Sequence, residues 1–302
     1  MCTVSWVREA SGYQLFCNRD EKHTRKQALL PRIVELRGVR FIAPMDGDSG
    51  GTWIGVNQFR LSLCLLNRYH SQTTEPEKQL VSRGLLVREL MDCVSQSDVQ
   101  QRLGGMRLTD FKPFTLLALE PAAPACVFHW TGQELLMADD GESLMPLISS
   151  SFDADGVVAF RQPHFARMKD ATGEVSPEML EAFHRSHDPA PGAYSPCMHR
   201  ADAQTVSFSR IKVAGSVIEF SYNPQALCYS TKSLQTELTT GRNGEHRKQS
   251  DWVCPQLIVE QSEEINEIPG TVFGVPTSVG VFVFGKQNPT EVGTPNTVLR
   301  AV

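Results

Sequence analysis

A chain of 302 residues with 41% hydrophobic and 21% charged side chains is long enough to bury a full core, which excludes disorder for most of its length. Its 29 basic and 34 acidic residues leave a net charge of −5, so there is no overall positive field to gather phosphates and nucleic acid is not expected as a partner. The longest apolar runs, such as Phe114 to Leu119 and Val279 to Phe284, are of strand length and far short of the roughly 20 residues that a membrane helix needs, which excludes an integral membrane protein.

Met1 to Arg8 has neither the basic start nor the apolar run of about 7 residues that a secretory signal requires. The eight cysteines, at positions 2, 17, 64, 93, 126, 197, 228 and 254, include no CxxC pair. Without an export signal they are expected as reduced thiols in a cytoplasmic protein.

The chain opens with apolar and polar residues in alternation. Val4 and Trp6, then Leu15 and Cys17 beyond a turn at Ser11-Gly12, predict a β-hairpin whose second strand ends at Asn18-Arg19-Asp20-Glu21. Residues 22 to 38 mix charges with Pro31 and are expected as loop with at most one short helix. Gly51 to Val56 and Arg60 to Leu66 predict a second hairpin split by Asn57-Gln58. Glu75-Pro76-Glu77 starts a predicted helix with Leu80, Val87, Leu90, Met91 and Val94 on one face, and Ser97 to Leu103 predicts another ending at Gly104-Gly105. Strands follow at Phe114 to Leu119, Ala125 to Trp130 and Glu134 to Ala138.

After a Ser- and Asp-rich loop, Ser176-Pro177-Glu178 caps a helix that turns Met179, Leu180 and Phe183 inward. Thr205 to Val213 and Ser216 to Tyr222 are again strands, too few for a core of their own. The pattern predicts an α+β fold with antiparallel sheets in one domain over residues 1–262. Residues 263–302, rich in Gly, Pro, Thr and Asn around one apolar run, carry no assignable role.

Cys2 is the most informative position. Removal of Met1 would leave one residue holding both a thiol and a free α-amine, that is, a nucleophile and a base. The α-amine has a reference pKa of about 7.7–8.0, and a thiol near 8.5 needs only a nearby cation to become thiolate at neutral pH. Taken by itself, a cysteine at this position is more often simply a small buried hydrophobe.

Met1-Cys2-Thr3, Leu15-Phe16-Cys17-Asn18-Arg19-Asp20-Glu21, Arg25, Gly50-Gly51-Thr52-Trp53-Ile54-Gly55, Leu66-Asn67-Arg68-Tyr69 and Ser82-Arg83-Gly84 together resemble the NRDE family, which includes the transport and Golgi organisation protein 2 group. The resemblance is dense over roughly the first 90 residues. It implies an N-terminal nucleophile hydrolase, related to choloylglycine hydrolases and penicillin V acylases, with a four-layer αββα sandwich.

Carried over residue by residue, the resemblance makes Cys2 the nucleophile, Arg19 the cation that lowers its pKa, Asp20 the carboxylate that holds the α-amine and Asn67 an oxyanion donor. Asn18, Trp53 and Arg200 become substrate-contacting positions, Arg200 as a second cation for an acidic group. Plainer roles stay open beside these. Arg19-Asp20-Glu21 also suits a charged strand end, Gly50 and Gly51 a bulge or close backbone approach ahead of a core Trp53, and Asn67 a turn. Where family members carry Ser-Asn, this chain reads Ile148-Ser149-Ser150-Ser151, and where they carry Tyr-Gly-Thr-Arg it reads Cys197-Met198-His199-Arg200.

Other constellations are weaker. His184, His187, Cys197 and His199 have zinc-ligand chemistry at no standard ligand spacing, so neither a metal nor a cofactor is expected. Gly47-Asp48-Ser49-Gly50-Gly51 lacks the Gly-Lys-Ser or Gly-Lys-Thr of a phosphate loop, and the element after it reads as strand rather than helix. The expected function is hydrolysis of an amide or ester of a small acylated molecule by Cys2. The alternative is a non-catalytic carrier of haem, lipid or acyl-CoA using the same cleft. Substrate specificity is expected in the loops Lys22 to Gly38 and Ser150 to His164.

Overall fold

The period-2 alternation at the start of the chain builds the hairpin β1 (Cys2–Glu9) and β2 (Gly12–Lys22), in which Cys2 pairs with Arg19 and Glu9 with Gly12. Val4, Trp6, Tyr13, Leu15 and Cys17 share one face, as strand geometry requires, and this face is dry. The structure is a computed structural model that describes residues 2–69, 80–121, 123–138, 140–230, 232–240 and 299–301.

Further strands are β3 (Leu29–Leu36), β4 (Val39–Met45), β5 (Ile54–Asn57), β6 (Ser62–Asn67), β7 (Phe114–Leu119), β8 (Cys126–Trp130) and β9 (Leu135–Ala138). They continue with β10 (Leu147–Ser149), β11 (Ala203–Ala214), β12 (Val217–Asn223), β13 (Leu234–Thr239) and β14 (Leu299–Ala301). The helices are α1 (Arg83–Leu90), α2 (Gln96–Gly105), α3 (Ala154–Thr172) and α4 (Pro177–Arg185).

One sheet runs β10-β1-β2-β11-β12-β13 and is antiparallel throughout. The other runs β14-β9-β8-β7-β6-β5-β4-β3 and is antiparallel apart from the short β14–β9 pair. Three cores stack between the layers. Trp6, Tyr13 and Leu15 of the first sheet meet Ile54, Val56 and Leu117 of the second in the central core. Leu86, Val87, Leu90, Val99 and Leu103 of α1 and α2 cover the outer face of the second sheet over Phe114, Phe128 and Trp130. Phe165, Met179, Leu180 and Phe183 of α3 and α4 cover the first sheet over Phe16 and Phe208. The layers are therefore αββα, the sandwich expected from the resemblance.

Most predicted strands and the capped helix α4 form where expected, with Ser176 accepting from the Met179 N–H. Three expectations need correction. Residues 22–38 are not a loop: they contain β3, an edge strand with Leu29 and Ile33 exposed, which tolerates Pro31 because it pairs on one side only. Residues 150–164 are not a specificity loop, because the 19-residue α3 starts at Ala154. Its polar first turn, Pro163 and narrow buried stripe of Val157, Arg161 and Phe165 hide it from a periodicity test. Within the described part of the first predicted helix, Leu80 lies outside any helix, α1 spans Arg83–Leu90 and Val94 is exposed.

Glu75-Pro76-Glu77, the apolar run Val279 to Phe284 and the boundary at residue 262 lie outside the described residues. Among the described residues no helix is long and apolar enough to cross a membrane.

Candidate functional site

Cys2 begins β1 and lies between two partners in register, Arg19 on β2 and Ser149 on β10. Its side chain is on the inter-sheet face, where it lines a cavity of about 250 Å³ with Arg19, Trp53, Asn67 and Arg83. Cys2 is only 6% exposed. A hydrogen bond with the Cys17 thiol and burial push the Cys2 pKa well above the ordinary thiol value, against the pull of the chain's terminal ammonium. With Met1 attached, the thiol is held neutral.

Arg19 is buried in the cavity wall and its guanidinium is already engaged. It donates to Asp46 Oδ2 at 2.5 Å and lies 4.1 Å from the centroid of the Trp53 ring. Asp46 also takes Arg25 at 2.6 Å and the Ser49 N–H at 2.9 Å. Burial opposes its ionisation, but the Ser49 N–H and the Arg25 guanidinium outweigh burial and lower its pKa to about 2. The Trp53 indole N–H is buried and has no hydrogen-bond partner among the described residues.

The Gly-Gly-Thr-Trp segment has the close-approach role. A Cβ on Gly51 would lie 2.3 Å from the Gly84 carbonyl carbon, and Thr52 N–H donates to Gly84 O at 3.0 Å. This contact sets Ser82-Arg83-Gly84 against the turn that carries Asp46 and brings Arg83 into the cavity. Arg83 Nη1 donates to Pro113 O at 2.7 Å, and burial lowers its pKa. On the opposite wall Asn67 Nδ2 donates to the Tyr69 hydroxyl at 2.9 Å, while the Ser149 hydroxyl donates to Asn67 O at 2.5 Å and ties the two sheets together beside Cys2.

The structure thus gathers four of the seven predicted residues, Cys2, Arg19, Trp53 and Asn67, around one cavity. The other three lie elsewhere. Asp20 is buried on the helix side of the first sheet, where it accepts from Thr205 Oγ1 at 2.7 Å and pairs with Arg161 Nη1 at 3.7 Å. Arg161, buried in α3, donates to Thr3 Oγ1 and to the Ala193 and Tyr194 carbonyls, and burial lowers its pKa. Asn18 is fully buried off the cavity and gives its amide N–H groups to His184 O and Pro196 O at 2.8 and 2.9 Å, which tethers those two carbonyls to β2. Arg200 is also off the cavity: it pairs with Asp202 at 2.8 Å and its Cζ lies 4.5 Å from the Phe152 ring centroid.

Spacing alone had missed Asp46, Arg83 and Ser149. Arg83 and Ser149 fall in the segments Ser82-Arg83-Gly84 and Ile148-Ser149-Ser150-Ser151, which the family resemblance singles out. Asp46 follows an apolar strand and falls in no such segment.

The four residues weighed for a metal also separate. His184 is fully buried among Phe16, Phe183 and Phe208, with Nε2 2.9 Å from Ser5 Oγ. Burial and the Arg161 charge lower its pKa to about 3, so it is a neutral core residue. His187, Cys197 and His199 converge instead, and with them Cys228, all four ligand atoms lying within 4.8 Å of one another. Their spacing along the chain, which matches no standard ligand pattern, does not announce this convergence. A larger open groove of about 610 Å³, lined by Trp6, Arg8, Pro121, Glu142 and Lys169 among others, includes none of the predicted site residues.

The fold has solved counterparts. A C2A mutant of the conjugated bile acid hydrolase from Clostridium perfringens superposes with a TM-score of 0.51 at 12% identity, covering 79% of this chain and 92% of that one. A penicillin V acylase from Agrobacterium tumefaciens (TM-score 0.49, 9% identity, 79% and 86% coverage) and a Caenorhabditis elegans N-acylethanolamine-hydrolyzing acid amidase orthologue (0.48, 10%, 79% and 100%) are also similar. At this identity the likeness to the bile acid hydrolase shows a shared fold alone. No curated protein sequence matches the chain. The sequence profile of the Transport and Golgi organisation 2 family matches residues 1–151, half of the chain and the half that holds Cys2, Arg19, Asp46, Asn67, Arg83 and Ser149. The chain belongs to the Transport and Golgi organisation 2 family.

Proposed function

We propose that the protein is a cytoplasmic N-terminal cysteine hydrolase that cleaves an amide or ester bond of a small acylated molecule. The observation that carries this proposal is Cys2 at the open end of β1, in register with Arg19 and facing a cavity that also holds Trp53, Asn67 and Arg83. Excision of Met1 places the α-amine on Cys2 itself. The amine then takes the thiol proton, Sγ attacks the acyl carbonyl, and the C–N or C–O bond breaks as the amine returns the proton to the leaving group. Water, deprotonated by the same amine, hydrolyses the thioester and restores the thiol.

The oxyanion needs a donor at the carbonyl oxygen. Asn67 Nδ2 supplies it once the substrate oxygen replaces the Tyr69 hydroxyl, and the unpartnered Trp53 N–H is a second donor to the bound molecule. Arg19 and Arg83 make the cavity positive, which favours the thiolate. Asp20 acts through Arg161 and Thr3, which hold the start of β1 from the helix side.

A second reading, a carrier that binds a hydrophobic acyl ligand or haem without chemistry, is favoured by Ser149 to Ser151 standing where family members carry Ser-Asn and by the neutral thiol. Intact mass with peptide mapping, before and after brief exposure to a limiting thiol alkylator at neutral pH, separates the two. Hydrolysis predicts loss of Met1 and labelling of Cys2 ahead of every other cysteine, then turnover of an amide, ester or thioester that is abolished in Cys2→Ala. Retained Met1, or Cys2 labelling no faster than the rest, overturns the hydrolase proposal.

A further inference from the structure

Two loops on the helix side of the first sheet bring two imidazoles and two thiols together. His187 and His199 face each other with Nε2 atoms 3.1 Å apart. Cys197 Sγ lies 3.6 Å from His199 Nε2 and 3.5 Å from Cys228 Sγ, and Cys228 Sγ lies 3.3 Å from His199 Nε2. Both cysteines are free thiols. Zinc bonds of about 2.3 Å to sulfur and about 2.0–2.1 Å to nitrogen give a tetrahedron with edges of about 3.3 Å (N–N), 3.5 Å (N–S) and 3.8 Å (S–S). These four separations follow the edges to within a few tenths of an ångström, and the remaining two, from His187 to the thiols, are at most 4.8 Å.

We propose that His187, Cys197, His199 and Cys228 bind one zinc ion as a closed Cys2His2 site. The chemistry of the donors supports zinc over harder cations, since two soft thiolates and two imidazoles suit it and no carboxylate belongs to the set. His199 Nδ1 lies 3.3 Å from the Tyr229 hydroxyl, the outer hydrogen bond that fixes a ligating ring and leaves Nε2 for the metal. Cys197 is buried while the other three are half-buried, so an ion has a path in from the surface. Binding displaces the two thiol protons to solvent and requires no change of redox state.

With four protein ligands the ion has no open position, so its role is structural. It ties the loop 186–200 to Cys228 beyond β12. That loop supplies Pro196 O to Asn18 and the Ala193 and Tyr194 carbonyls to Arg161, which in turn holds Thr3 and Asp20 behind the nucleophile strand. Cys228 stands 29 residues after His199, and no short motif joins them, which is why spacing alone does not reveal the site.

The test is metal content of the full chain purified under reducing conditions, followed by cobalt titration of the chelator-treated protein. One zinc per chain is expected, together with the visible d–d bands of tetrahedral cobalt and a thiolate-to-cobalt charge-transfer band. Cys228→Ser and His199→Gln should each lose the charge-transfer band or reduce its intensity, shift the d–d bands and cut zinc retention at least tenfold, with circular dichroism reporting whether each variant stays folded. If a variant unfolds, the wild-type stoichiometry and spectrum decide alone. Absence of both metal and a tetrahedral cobalt spectrum, a Cys197–Cys228 disulfide in the freshly isolated protein, or an unchanged spectrum in the folded variants would overturn the site. None of these readouts depends on hydrolysis at Cys2.

Discussion

Arg19 and Asp20 are consecutive on β2, yet they serve opposite faces of the sheet: Arg19 reaches Asp46 and Trp53 in the inter-sheet cavity, and Asp20 reaches Thr205 and Arg161 beneath the helices. The two-residue period of a strand forces this division. Cys2 is thereby held from both sides. Arg19 flanks the thiol within the cavity, and Asp20 orders the backbone behind it through Arg161 and Thr3.

The Arg19–Asp46 pair makes acid stability a test of the cavity wall. The Asp46 pKa is about 2 when folded and about 3.9 in an unfolded chain, so its contribution is full above about pH 4 and disappears as pH falls through 2. Urea melts of the wild type should lose on the order of 2 kcal/mol from this group across that window. Asp46→Asn should be less stable by about 2 kcal/mol at pH 7, because buried Arg19 is left with only the more distant Glu21 carboxylate at 3.4 Å, and should lack the acid step. Equal stability of the two proteins at pH 7 would show that the pair is not what holds Arg19.

His184 provides a second, separate pH response. It is neutral in the fold with a pKa of about 3, against 6.5 when unfolded, so between these values only the unfolded chain takes up its proton. Stability from this group is therefore complete above about pH 6.5 and falls by up to about 1.4 kcal/mol per pH unit on acidification. In His184→Gln the slope between pH 6 and 4.5 should flatten by about one proton's worth. An unchanged slope would mean that His184 is not the neutral buried group described.

Gly51 is fixed by contact and Gly50 by conformation. Gly51→Ala drives a methyl to 2.3 Å from the Gly84 backbone and is expected to cost roughly 1–3 kcal/mol, with loss of any activity that depends on Arg83 placement. Gly50 has φ +67° with nothing within 4 Å of its would-be Cβ, so Gly50→Ala should cost only about 1 kcal/mol. Thermal melts of both variants check the order, and a larger loss for Gly50→Ala would contradict it.

Arg161 is the strut behind β1. Arg161→Met keeps the side-chain volume and removes the donors to Thr3, Ala193 and Tyr194 as well as the charge beside Asp20, so a loss of about 3–5 kcal/mol is expected. Hydrogen exchange should rise along Cys2–Ser5 and residues 193–197 and leave β6 to β8 unaffected. A uniform rise would point to global destabilisation without local coupling.

The sequence by itself determined the elements that repeat at strand or helix period. The hairpin that presents Cys2 against Arg19, the strands β5 to β9, and α4 with its Ser176 cap all follow from local alternation or capping chemistry. The NRDE resemblance pointed to Cys2, Arg19, Trp53 and Asn67, which the fold gathers around one cavity. Only the tertiary structure decided the rest, because the deciding contacts join residues far apart in the chain. Burial of Asn18 depends on carbonyls 166 and 178 residues away. Arg161 has a place in α3 only because Asp20 and Thr3 on the first sheet meet it there. Cys228 completes the set of His187, Cys197 and His199 because β11 and β12 intervene and fold back, a proximity made by sheet topology and invisible to ligand spacing.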